Sequence, residues 1–92
     1  MKTIPKGIEN LTEDERRITR IDEARSIPGF PNYYITPAGW VWSCKKNKER
    51  GGFIKPNGSR QNRHFGYRFT VNRKEYYFTV RDLVEGIFGI VW

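Results

Sequence analysis

The side chains in this sequence able to do chemistry are one histidine, one cysteine and a large set of lysines and arginines. His64 is the only histidine, and the nearest carboxylates along the chain are Glu49 and Glu75. A catalytic or metal-bound histidine needs a second ligand, or a base with its orienting group, close by. Neither carboxylate stands at such a spacing, so His64 reads as a loop or strand-edge residue. Cys44 is the single cysteine and is followed by Lys45 and Lys46. Neighbouring cations lower a thiol pKa, but without a paired His or Cys the expectation is an ordinary strand-end cysteine. One cysteine forms neither an intrachain disulfide nor a Cys-rich zinc site, and a lone thiol fits a reducing cytosol. Gly51-Gly52 has no P-loop pattern around it and reads as a turn. The expectation is therefore a chain without catalytic residues, metal or cofactor, and not an enzyme.

The basic residues carry more information. The formal net charge is +7, unevenly spread. Residues 1–25 hold six basic and six acidic side chains, whereas residues 26–81 hold eleven basic against two acidic, a local net of +9. Lys45, Lys46, Lys48 and Arg50 fall in one polar stretch and Arg60 and Arg63 in another, with Lys55 at the end of the apolar run between them. Arg68, Arg73 and Lys74 fall on or beside a later hairpin. Such an excess favours polyanions: DNA first, RNA as the other nucleic acid, or an acidic protein surface. The competing reading of so basic a surface is simple solubility.

Trp40 and Trp42 flank Val41. Side chains alternate along a strand, so both tryptophans share a face that Val41 does not. They are either core or an exposed platform for base stacking or a protein partner. The cost of exposing two tryptophans favours core.

These residues need a scaffold, and 92 residues make one small α+β domain the expectation. Residues 1–9, with Pro5 and Gly7, read as a flexible arm and 10–92 as the domain. A helix is expected over 10–25, with Thr12 and Glu15 as a capping box and Ile18 and Ile21 as its attachment. The central stretch 27–43 reads as a hairpin of strands 33–35 and 40–42 around a Pro/Gly turn, entered through Ile27-Pro28-Gly29-Phe30-Pro31. A short strand is expected at 53–55 and stops at Pro56-Asn57-Gly58. A second hairpin pairs 67–71 with 75–79 around Asn72-Arg73-Lys74. Thr79 then caps a final helix burying Val80, Leu83, Val84, Ile87 and Phe88, with Gly89 at its end and an apolar tail, Ile90-Val91-Trp92, packing back. The architecture expected is a small antiparallel sheet of two hairpins plus a short strand, with an N-terminal and a C-terminal helix. No apolar run approaches the roughly 20 residues of a membrane span, and the N-terminus lacks the apolar core of a secretion signal. No membrane association and a cytoplasmic location are expected.

Ile27, Gly29 and Phe30, then Tyr33 or Tyr34 with Ile35 and Thr36, then Gly39, Val41 and Ser43 form a spaced pattern. It resembles that of nuclease-associated modular domains of the fourth type (NUMOD), found in HNH homing endonucleases. Ile54-Lys55-Pro56, Gly66-Tyr67 and Val80-Arg81-Asp82-Leu83-Val84 with Phe88 extend the resemblance over about residues 23–89. Ala24 stands where the family opens with Trp, Trp40 and Trp42 where its variable, often basic, positions fall, and Arg81 where it has His. The HNH motif would follow the final helix, where the sequence given stops, so nuclease activity is not carried over. The resemblance implies a non-catalytic DNA-binding module of phage or mobile-element origin, acting in the host cytoplasm. The alternative is a small phage-type inhibitor that binds a host enzyme or defence complex through its basic and aromatic surface.

Overall fold

The structure, a computed structural model, describes residues 7–44 and 51–92. The chain is α+β and divides into two compact units, Met1–Ile54 and Lys55–Trp92, where the sequence reading treats 10–92 as one domain.

The first unit is built on a four-stranded antiparallel meander. Its strands are β1 (Arg25–Ile27), β2 (Phe30–Ile35), β3 (Val41–Ser43) and β4 (Gly52–Phe53), in that spatial order. β1 lies outside the expected hairpin. Pro28-Gly29 is not merely the approach to β2 but the turn joining it to β1, with Ile27 paired to Phe30. Gly29 has φ +84, and Pro followed by a positive-φ Gly is the residue order of a type II turn. The β2–β3 connection is tied by Thr36, which is fully buried. Its Oγ1 accepts from the N–H groups of Ala38 and Trp40, both at 3.2 Å, and its own N–H donates to the Trp40 carbonyl at 2.9 Å. A short hydroxyl side chain thus satisfies two turn donors that would otherwise be stranded.

The N-terminal helical stretch is shorter and more broken than expected. α1 is Glu13–Thr19, preceded by a 3-10 turn at Ile8–Asn10 and followed by another at Ile21–Glu23. The capping box is present: Thr12 Oγ1 accepts from Glu15 N–H and the Glu15 carboxylate accepts from Thr12 N–H. Hydrogen bonding from the Thr12 backbone N–H, and then from its side chain, holds the Glu15 carboxyl below its ordinary pKa. Arg20 adopts the left-handed conformation, φ 57, and stops the α-helix. The break separates Ile18, 64% exposed, from the fully buried Ile21, so Ile18 does not attach the helix. Residues 1–6 of the expected arm lie outside the described residues. Ile8 is buried and joins Ile21, Ala24 and Trp42 in a core cluster, with Leu11, Tyr34, Cys44 and Phe53 packed against it.

The second unit is a hairpin and a helix. β5 (Gly66–Val71) and β6 (Lys74–Thr79) pair in continuous antiparallel register, from Gly66 opposite Thr79 to Val71 opposite Lys74. α2 (Val80–Phe88) follows at once, with Thr79 Oγ1 accepting from Asp82 N–H at 3.2 Å and Gly89 closing it at φ 70. Tyr67, Phe69, Val80, Leu83 and Val84 are buried, while Ile87 and Phe88 are half-buried. The tail departs from expectation, because Ile90 and Val91 are exposed and only Trp92 returns. Among the described residues no helix is long and apolar enough to cross a membrane.

Gly66 accounts for the Gly-Tyr pair at the start of β5. A Cβ there would lie 2.2 Å from the Phe78 carbonyl oxygen and 2.8 Å from Thr79 Cα, both backbone atoms. Neither can swing away. Gly66→Ala is expected to destabilise the protein by about 1–3 kcal/mol or more through forced backbone displacement. A urea titration followed by circular dichroism reads this, and wild-type stability in the variant would contradict so close an approach.

Candidate nucleic-acid interface

The charges of the first unit's described surface are largely cancelled locally. Arg16 pairs with Asp22 at 2.6 Å, Arg17 with Asp14 at 2.9 Å, and Arg20 with Glu23 at 2.6 Å. The Glu23 carboxylate holds the Arg20 guanidinium above its ordinary pKa through these hydrogen bonds. Exposed pairs of this kind add little stability. Their consequence is that the α1 side offers a polyanion little unpaired charge. Lys45, Lys46, Lys48 and Arg50, the expected centre of a cationic patch, lie outside the described residues.

The second unit is different. Residues 55–92 hold seven basic and three acidic side chains. Lys55, Arg60, Arg63, Arg68, Arg73 and Lys74 are all exposed. Among the described residues Lys55, Arg60, Arg63, Arg73 and Lys74 have no carboxylate partner, and Arg68 meets Glu75 only at 3.9 Å. The hairpin register sorts these groups. Tyr67 and Phe69 point to the core side, with Phe78 and Tyr76 opposite them, and Phe69 and Phe78 stack with centroids 6.0 Å apart. Arg68 therefore falls on the outer face, directly opposite Tyr77, with Thr70 opposite Glu75 beyond. The Tyr77 hydroxyl donates to the His64 carbonyl, which anchors the 59–64 loop to that face.

The tip of this ribbon is Asn72-Arg73, and both residues have positive φ, 51 and 65. Two successive left-handed residues make the I′ turn that matches strand twist, where Gly is preferred at the second position. An arginine there is held against its backbone preference, at a cost of about 1–2 kcal/mol.

Trp42 is 3% exposed and its ring meets Phe53 edge-on, with centroids 4.8 Å apart. Trp40 is half-buried and meets the same Phe53 ring, with centroids 5.5 Å apart. Val41, on the opposite face of β3, is also fully buried. The choice between a tryptophan core and a valine core does not arise, since β3 is covered on both faces. Burial removes Trp42 from the candidate stacking surface. Replacing it by Ala would cost about 3–5 kcal/mol and test folding, not binding.

His64 is exposed, and its N–H donates to Asn62 Oδ1 at 2.9 Å. Cys44 is half-buried beside the first unit's core, its N–H donating to the Asn32 carbonyl at 2.9 Å. Among the described residues no three His, Cys, Asp or Glu side chains gather where a metal ion would sit. Gly52 is a strand residue, opposite Ser43, and not part of a phosphate loop.

Two residues outside the expected site stand beside its arginines. Arg81 and Trp92 line a cleft with Arg60 and Arg63, and the Arg60 guanidinium lies 5.1 Å from the Trp92 ring centroid. Helical periodicity marks Arg81 as an outward position of α2, but nothing in the spacing ties it to the 59–64 loop. No protein-family model, no curated protein and no solved structure matches this chain.

The strained turn yields a double expectation for Arg73→Gly. Glycine relieves the left-handed cost, partly offset by its greater chain entropy, for a gain of about 0.5–1 kcal/mol. Removal of the charge should at the same time weaken binding of any polyanion. Denaturant midpoint and anion affinity moving in opposite directions would bear this out, and a destabilised variant would contradict the turn assignment.

Proposed function

We propose that this chain is a non-catalytic nucleic-acid-binding module with duplex DNA as its ligand. The observation that carries the reading is the exposed basic set of the second unit, most of it without a carboxylate partner among the described residues, on and around a β-ribbon. Arg68 lies beside Tyr77 on the outer face and Arg73 and Lys74 sit at the tip, so the ribbon offers both phosphate-binding cations and a ring. A two-stranded ribbon fits the DNA major groove, and arginine is the residue best suited to guanine edges and phosphates there. The resemblance to the fourth-type modular domains of homing endonucleases supports DNA over RNA. The residues carrying its first motif have framework roles: Ile27, Phe30, Ile35, Thr36, Val41 and Ser43 are buried, and Gly29 and Gly39 have positive φ. The motif is thus a signature of the scaffold, and contact residues are sought outside it. The inhibitor alternative relies on an aromatic platform, which the burial of Trp42 halves.

Binding of labelled duplex DNA across a salt series tests the proposal, with Arg68→Gln/Arg73→Asn/Lys74→Gln as comparison. The wild-type affinity is expected to fall steeply with salt. The variant's log–log slope should be shallower by about 0.9 for each phosphate it no longer neutralises. Tighter binding to single-stranded RNA at equal salt would reassign the ligand. Absence of binding at low salt, or a variant that binds like wild type, would contradict the proposal.

A further inference from the structure

The cleft between the 59–64 loop and α2 has a volume of about 100 Å³ and is lined by Arg60, Gln61, Asn62, Arg63, Phe65, Arg81 and Trp92. That is several times what one water needs, yet well below the roughly 300 Å³ or more of a pocket for a drug-sized ligand. It suits one small anionic group rather than a whole nucleotide. Three arginines line it, and their neighbours differ. Arg60 is held over the Trp92 ring. Trp92 in turn donates its backbone N–H to Glu85 Oε2 at 3.2 Å, and that same oxygen lies 4.0 Å from Arg81 Nε. Glu85 thus tethers the tail that carries the indole and stands near Arg81. Arg63 has no carboxylate partner among the described residues. The three arginines outnumber the carboxylates beside them, so the cleft keeps a net positive charge.

We infer that this cleft is a binding site for a dianionic phosphate monoester. The inference deepens the nucleic-acid reading and rests on it for the favoured source, the phosphorylated end of a strand. A phosphate monoester carries close to two negative charges at neutral pH, and the diester of an internal backbone position only one. A positively charged cleft attracts the monoester more strongly than the diester. The monoester's terminal oxygens can accept from Arg63 and Arg81 in charge-assisted hydrogen bonds, which are stronger than neutral ones. A free nucleoside monophosphate presents the same group and is the other source. Arg63 and Arg81 are the direct contacts. Trp92 and Glu85 are positioning residues, acting through Arg60 and Arg81.

The test compares four probes on the full chain: adenosine, its 5′-monophosphate, and one short oligonucleotide with either a hydroxyl or a phosphate at its 5′ end. The readouts are the NMR signals of the arginine side-chain N–H groups and the dissociation constants. Arg63→Gln is the site variant and Lys74→Gln the control on the ribbon. Both residues are exposed, and circular dichroism confirms that each variant keeps its fold. The monophosphate should shift the Arg60, Arg63 and Arg81 signals while adenosine does not. The phosphorylated oligonucleotide should bind about tenfold more tightly than its hydroxyl twin, in keeping with one or two charge-assisted hydrogen bonds. Arg63→Gln should abolish that preference and Lys74→Gln should leave it intact. Monophosphate recognition with no oligonucleotide binding at any salt would uphold the phosphate site with a free nucleotide as its source, and would overturn the nucleic-acid reading. Salt-dependent binding of both oligonucleotides alike, with adenosine and its monophosphate equally inert, would overturn the phosphate site and leave the nucleic-acid reading standing.

Discussion

The register of the β5–β6 hairpin decides on which side of the second unit Arg68 lies. With a side-chain period of two, a slip of β5 by one residue would turn Arg68 inward and bring Tyr67 and Phe69 to the surface. Three local features prevent the slip. Gly66 lets the start of β5 press against the backbone of β6, the Asn72-Arg73 turn fixes the closed end, and the buried Tyr67 and Phe69 stabilise only one of the two alternations. α2 depends on the same register, since Thr79 is at once the last residue of β6 and the cap of the helix. The Val80 N–H donates to the Phe65 carbonyl at 2.8 Å, which joins the start of α2 to the residue just before β5.

Charge is handled differently in the two units. Around α1 each arginine has a carboxylate within 3 Å, so a seven-residue helix too short to be stable alone gains side-chain ties as well as its capping box. In residues 55–92 the cations stand mostly unpaired, and one of them, Arg73, occupies a backbone conformation that favours glycine. Unpaired surface charge adds nothing to folding.

Much of this fold is legible in the sequence because the signals are local. Thr12 with Glu15, and Thr79 with Asp82, are caps written within four residues, and both hairpins are marked by turn residues between apolar runs. The departures have non-local causes. β1 is mostly polar, Arg25-Ser26, and forms because the Pro28-Gly29 turn folds it onto β2. Ile18 follows the helical spacing, but Arg20 breaks the helix before that spacing can be used. Alternation at Trp40 and Trp42 distinguishes core from platform only if one face of their strand is open, and β3 is covered on both faces. The cleft leaves no mark in the sequence because its arginines come from a loop and a helix. Its indole comes from a tail that returns through one hydrogen bond to Glu85.

The central claim is that polyanion binding belongs to the β5–β6 ribbon and its tip and not to the self-neutralised α1 side. Backbone amide NMR during titration with duplex DNA at low salt tests it most directly. The account predicts progressive shifts at Arg68, Thr70, Arg73, Lys74 and Tyr77, while Asp14–Glu23 signals stay in place. Shifts concentrated on Asp14–Glu23, or none anywhere at saturating DNA, would contradict it.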